Sequence, residues 1–202
     1  MRVIGLTGGV GSGKSFVAQM MEEECLAQGS RAELLLADEI GHLVMEPGRE
    51  CHMQITDRYG REILGRDGRI DRGMLAEKIF GDEQERQALN AIVHPAVIRY
   101  MEEYIGCRWE QEGIIVLESA ILFEASCDRL CDIVWYVRVS EQIRRARLRE
   151  SRGYSEEKIS AIMQRQLSEE EFIRRSDDVI DNSKGPEQLR DTVRQMISGI
   201  VS

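Results

Sequence analysis

No stretch of these 202 residues is apolar for long enough to cross a bilayer, and no basic segment precedes an apolar one at the start. This argues against a membrane-spanning or exported chain and sets the expectation of a cytoplasmic protein. Surplus positive charge is lacking as well. There are 27 Lys and Arg against 36 Asp and Glu, for a formal net charge of −9. A surface of that sign repels nucleic acid and anionic membranes, so neither is expected as a partner, and any anionic ligand must be held by local positive groups. No C-x-x-C pair occurs among Cys25, Cys51, Cys107, Cys127 and Cys131, an odd number cannot pair off, and no histidine or cysteine cluster completes a metal site near Cys127 and Cys131. Reduced thiols are expected. Internal repeats and low-complexity segments are absent, and nothing points to an obligate protein partner. With 42% hydrophobic residues, the chain can bury a core without staples, as one α/β domain with room for a small insertion.

What is present is a phosphate loop. Gly8-Gly9-Val10-Gly11-Ser12-Gly13-Lys14-Ser15 fits G-x-x-x-x-G-K-[ST] and follows the apolar run Val3 to Leu6. A buried strand ends, a glycine-rich turn wraps an anion, and a helix begins with free N–H groups aimed at it. Lys14 can reach the β- and γ-phosphates, and the Ser15 hydroxyl can ligate Mg²⁺.

Strand-like runs recur at Val3 to Leu6, Leu34 to Ala37, Ile114 to Leu117, Ile133 to Val139 and Val179 to Ile180. They are continuously apolar, as strands covered on both faces are, and helical patterns fill the intervals. The class is therefore α/β with right-handed crossovers. The interval from Asp38 to Gly113 is too long for one crossover and predicts a helical insertion. Within it, Asp71 is read as the N-cap of a helix to about Phe80, stopped by Gly81. A second helix covers about Glu83 to Val93, and Pro95 opens a third, Ala96 to about Glu112. The glycine-rich stretch Gly60 to Gly68 is read as a loop. The core then comprises about 1–37 and 114–202, and the insertion about 38–113. From Ser140 to Leu167 the helices are crowded with arginine (Arg144, Arg145, Arg147, Arg149, Arg152). They form either a solvated face paired with Glu141, Glu150, Glu156 and Glu157 or a basic lid over transferring phosphates.

The guanine-reading motif [NT]-K-x-D is missing, and Asp57-Arg58-Tyr59-Gly60, which fits D-x-x-G, lies in the helical insertion. A kinase needs a group that orients or deprotonates the acceptor hydroxyl. Asp38, just after the second strand, is the candidate, with N-capping as its structural alternative. Glu118, ending the third strand, could support Mg²⁺ through water or serve as a structural partner. His94 is read as a packing or capping residue at a helix start, with substrate contact as its alternative. A kinase for a nucleoside, nucleotide or sugar and a slow regulatory nucleotide-binding module both remain open.

Taken together, Ile4 to Ser15, Ala37-Asp38, Glu46-Pro47-Gly48, Leu89-Asn90, His94-Pro95, Ile121-Leu122-Phe123-Glu124, Arg145, Arg149-Glu150 and Asp177 to Asn182 resemble the dephospho-CoA kinase family over nearly the whole chain. The resemblance implies a P-loop three-layer α/β/α fold with a five-stranded parallel sheet, a helical substrate-binding insertion and an arginine-rich lid. It also implies transfer of the ATP γ-phosphate to the ribose 3′-hydroxyl of dephospho-CoA, with Mg²⁺. It implies nucleotide contacts along Gly8, Gly9, Gly11, Ser12, Gly13, Lys14, Ser15 and Phe16, and Mg²⁺ at Ser15. Acceptor contacts fall at Thr7, Asp38, His94 and Leu122. Catalytic roles fall to Lys14, to Asp38 as activator of the hydroxyl, and to Arg145 and Arg149 in the lid. The Asp181-Asn182 turn falls near the adenine. Leu36 replaces the first aspartate of the family's usual D-A-D.

Overall fold

Five runs of β-branched and aliphatic residues pair side by side in the computed structural model, which describes residues 1–201. The chain divides into two compact units, Met1–Leu36 with Arg108–Ser202, and Ala37–Cys107.

The first unit is built on a sheet ordered β2-β3-β1-β4-β5, all parallel, from β1 (Arg2–Thr7), β2 (Ala32–Leu36), β3 (Ile114–Glu118), β4 (Ile133–Arg138) and β5 (Asp178–Asp181). The chain leaves β1 towards one edge and leaves β3 towards the other. The carboxyl ends of these adjacent strands thus flank a topological switch point, where open α/β sheets bind ligands.

One face of the sheet is covered by α1 (Lys14–Ala27) and α9 (Pro186–Val201). Val17, Ala18, Met20, Met21 and Cys25 of α1 pack with Leu189, Val193 and Ile197 of α9 over Ile4, Leu6, Trp135 and Ile180. On β4, Tyr136 stacks flat on Phe172 of α8 (Glu169–Arg175), with ring centroids 5.0 Å apart, and Phe172 meets Phe123 at 6.2 Å. The remaining helices of this unit, α6 (Glu141–Arg152) and α7 (Glu156–Met163), are capped by the side chains of Ser140 and Ser155, and Gly153 ends α6 in the left-handed region.

The second unit holds α2 (Ala37–Val44), α3 (Glu50–Tyr59), α4 (Arg72–Ile79) and α5 (Glu83–Gly106). Asp71 caps α4, accepting from the Gly73 and Met74 amides at 2.8 and 3.1 Å. Two readings of this stretch need correction. The segments expected as separate helices on either side of Pro95 form the single 24-residue α5. Proline removes one backbone bond and disfavours a continuing helix, but α5 packs against both α2 and α3, with Val97 and Met101 buried, and tertiary burial overrides the break. The glycine-rich stretch is also more than a loop. Arg61–Ile63 form a 3₁₀ turn, Ile63 is fully buried, and Leu64 bridges Ile70. The D-x-x-G segment is the end of α3, where Arg58 pairs with Glu85.

Among the described residues, Glu24 is the one buried carboxylate in the interface between α1 and α9. It accepts from Arg194 and Arg190, each at 2.9 Å. These arginines, Arg194 foremost, hold its carboxyl below the ordinary value of 4.5. A depressed folded-state pKa stabilises above the unfolded value, and that stabilisation is lost as pH falls through the folded one. Glu24→Gln should therefore lower Tm at pH 7, with the gap to the unaltered protein closing as pH drops below 4.5. Thermal melts of both proteins from neutral to acid pH check this, and a gap constant with pH would exclude the linkage.

Candidate active site

The phosphate loop follows directly from β1. Gly8, Gly11 and Gly13 have φ of +150°, +79° and +84°, and at Gly8 and Gly13 close approach forbids a side chain as well. A Cβ on Gly8 would sit 2.6 Å from the Val137 carbonyl, and one on Gly13 would sit 2.5 Å from Asn182 Nδ2. Gly13 then opens α1 without a side-chain cap, which leaves the helix's first amides directed at the loop.

Lys14 is buried, and its ammonium donates to the Gly8 and Gly9 carbonyls at 2.9 and 3.4 Å. Two more hydroxyls of this segment, Thr7 Oγ1 and Ser12 Oγ, are buried without a hydrogen-bond partner. Such groups normally carry a desolvation cost unless something pairs with them, so the loop is built for a polar ligand. Ser15 Oγ donates to Glu118 Oε2 at 3.1 Å, which places a hydroxyl and a carboxylate together at the carboxyl end of β3.

The loop is braced from the turn that follows β5. Asn182, buried, donates from Nδ2 to the Ser12 carbonyl at 2.7 Å and from its amide to the Arg138 carbonyl at 2.8 Å. Arg147 of α6 donates to the carbonyls of Ser12 (3.2 Å) and Asn182 (3.3 Å). A cleft of about 350 Å³ opens beside it, lined by Gly13, Phe16, Arg147, Asn182, Lys184, Pro186 and Leu189. Phe16 is about half exposed there.

The arginine-rich helix divides by face. Arg144 and Arg147, three apart, turn to the loop, and Arg144 Nε donates to the Val10 carbonyl at 2.9 Å. Arg145 and Arg149, four apart, turn to Glu156 instead, and Arg145 also pairs with Glu141 and Ser160. Hydrogen bonds from Arg149 and Arg145 keep the Glu156 carboxyl below its usual range. The resemblance therefore named the carboxylate-facing pair, and sequence reasoning left the loop-facing pair unassigned. The i, i+3 spacing of Arg144 and Arg147 was the available signal.

Leu122 requires a correction. It is fully buried, and its Cδ2 lies close over Gly5, so its side chain packs the core and cannot meet a substrate. His94 lies inside α5, not at a helix start, and burial pushes its imidazole below 6.5. Asp38 stands in the first turn of α2, two residues past the end of β2. It is exposed, with no hydrogen bond or ion pair among the described residues, and it does not cap the helix. Among the described residues, no cluster of three or more His, Cys, Asp or Glu side chains could hold a metal by itself, and no helix is long and apolar enough to cross a membrane.

Asn182→Ala removes a buried bond and leaves the Ser12 carbonyl short of a donor. With Arg147 still donating to that carbonyl, the change should cost about 0.5–1.5 kcal/mol of stability and raise the KM for nucleotide. Unfolding melts and steady-state kinetics test this, and an unchanged KM would show that the brace does not shape the loop.

These features can be set against known proteins. The family model described as Dephospho-CoA kinase matches residues 2–188. A dephospho-CoA kinase of Corynebacterium diphtheriae is 38% identical over 97% of this chain and 96% of its own length. One from Syntrophotalea carbinolica is 35% identical over 100% of this chain and 93% of its own. A crystal structure of a protein from Thermus thermophilus superposes with a TM-score of 0.77 at 27% identity, covering 100% of this chain and 98% of that one. A shikimate kinase from Acinetobacter baumannii, at 13% identity and a TM-score of 0.56 over 100% of this chain and 93% of its own, shares the fold alone. By the family match and by full-length identity, the chain belongs to the dephospho-CoA kinase family.

Proposed function

We propose a division of labour among the residues of this kinase. As a member of its family the chain phosphorylates dephospho-CoA, the last step of coenzyme A biosynthesis, with a nucleotide as phosphoryl donor. The donor is ATP, with its polyphosphate on the Gly8–Ser15 loop and its base in the cleft beside Phe16 and Asn182. The insertion between β2 and β3 receives the acceptor, and the five free cysteines suit the cytoplasm.

The observation that carries this assignment is the pairing of Ser15 with Glu118 next to a loop that holds Lys14 and two unpartnered hydroxyls. Ser15 and Glu118 are oxygen donors of the kind Mg²⁺ takes, with phosphate oxygens and waters completing its shell. When bound, the ion neutralises phosphate charge. Lys14 orients the donor's phosphates. Asp38 accepts the acceptor's 3′-hydroxyl proton as that oxygen bonds to the γ-phosphorus. The bond from the γ-phosphorus to the β,γ-bridging oxygen breaks, and its electron pair leaves with ADP. Positioning and charge stabilisation supply most of the rate.

Asp38→Asn should lose most of kcat, about 10²-fold or more, while nucleotide affinity stays near normal. The check is coupled ADP release with a panel of dephospho-CoA, adenosine, sugars and shikimate, with the product position read by phosphorus NMR. Full activity in Asp38→Asn removes its role as base, and a preferred acceptor other than dephospho-CoA removes the substrate assignment.

Ser15→Ala and Glu118→Gln should each raise the Mg²⁺ concentration needed for half-maximal nucleotide binding. A Mg²⁺ titration followed by nucleotide fluorescence measures this. Unchanged dependence in both variants would take the metal role from this pair.

A further inference from the structure

Arg144 has no carboxylate in ion-pair contact among the described residues, although Arg145 beside it has two. It is partly buried on the phosphate loop. Desolvation lowers its pKa below the ordinary arginine value, yet a guanidinium stays charged. Its plane lies against Gly9, where a Cβ would come within 2.5 Å of three of its terminal atoms, so only glycine admits it there. Nε donates to the Val10 carbonyl at 2.9 Å and Nη2 to Gln166 Oε1 at 2.9 Å. That same Gln166 oxygen accepts the Val10 amide at 3.0 Å.

A single oxygen thus takes one loop amide and one guanidinium N–H, which is how a phosphoryl oxygen is bound at such a loop. The position is also informative. Lys14, which reaches the β- and γ-phosphates in loops of this pattern, has its ammonium at the Gly8 and Gly9 carbonyls. Arg144 and Lys14 therefore converge on the Gly8–Gly9 end of the loop.

We propose that Arg144 is a catalytic residue that binds the terminal phosphoryl group together with the Val10 amide, and that the Gln166 carboxamide holds that place and yields it when the nucleotide binds. This rests on the phosphate-loop reading above. It gives the lid's charge-stabilising role to the face of α6 that carries Arg144, whereas Arg145 and Arg149 tie α6 to Glu156.

The experiment is calorimetric binding of ADP and of the imido-bridged ATP analogue, with Mg²⁺, to the intact protein and to Arg144→Gln, Arg145→Gln, Gln166→Ala and Lys14→Ala, alongside kcat and Tm. Loss of one charge-assisted contact predicts that Arg144→Gln weakens the triphosphate analogue about 10- to 100-fold and lowers kcat, with ADP affinity and Tm nearly unchanged. Arg145→Gln should move nucleotide affinity much less, and Gln166→Ala should bind the analogue at least as tightly as the unaltered protein. Equal loss for both nucleotides with a lower Tm would reduce Arg144 to a packing residue and overturn the proposal, as would no loss at all. Weaker analogue binding by Gln166→Ala would overturn the displacement. Lys14→Ala keeps the two readings apart: if it binds both nucleotides normally, the phosphate-loop reading itself fails, and if it alone loses them, only the assignment of Arg144 falls.

Discussion

Backbone carbonyls of the glycine-rich loop, each turned towards a cation, are the constraint on which the rest of the site depends. Lys14 bonds Gly8 and Gly9, Arg144 bonds Val10, and Arg147 and Asn182 bond Ser12. A peptide carbonyl that accepts on one side leaves its neighbouring amide free to donate on the other. Tying the carbonyls to side chains fixes the turn of each peptide unit, and with it the direction in which its amide can donate. The tie needs elements from far along the chain, since Arg144 and Arg147 come from α6 and Asn182 from the turn that follows β5. The parallel sheet brings β4 and β5 to the correct side of β1, and the site inherits its rigidity from that order.

Polar groups elsewhere on the sheet serve the same alignment. Asp132 accepts the Val3 amide and Asp177 the Val134 amide, each at 2.7 Å, so carboxylates just ahead of β4 and β5 fix the starts of β1 and β4. The register set there is carried along each strand to its carboxyl end, where a slip of one residue would turn every side chain to the opposite face. The approach of Ser15 to Glu118 rests on the β1–β3 register, in which Leu6 pairs with Glu118.

Local chemistry made the loop readable from the sequence. Its glycines, lysine and serine act within eight consecutive residues, and the strand before it needs only apolar continuity. The five strands were legible for the same reason, within two residues at their ends. Pro95 was misread because its rule is local and the packing that overrides it is not. Leu122 was misassigned because membership in a motif says nothing about which way a side chain faces, and here it faces Gly5. The arginine helix was half legible. Its charge was plain, but which arginines meet the loop depends on the rotation of α6 about its axis, which the cap at Ser140 and the burial of Leu148 decide. Gln166 carries no charge and sits between helices, and nothing in its sequence context marked it.

An acidic protein that must bind a polyphosphate faces opposing fields, and distance separates them. Screening confines surface charge to about 8 Å at physiological ionic strength, so the net charge of −9 acts weakly on a ligand already inside the cradle. There Lys14, Arg144 and Arg147 lie within one loop's reach, partly shielded from water, where each interaction is stronger than at the surface. The glutamates that could have neutralised the arginine helix are partitioned. Glu141 and Glu156 absorb Arg145 and Arg149, and the opposite face keeps its cations bonded only to neutral oxygens. An anion arriving there meets cations with no carboxylate bonded to them, while the rest of the surface favours solubility over indiscriminate anion binding.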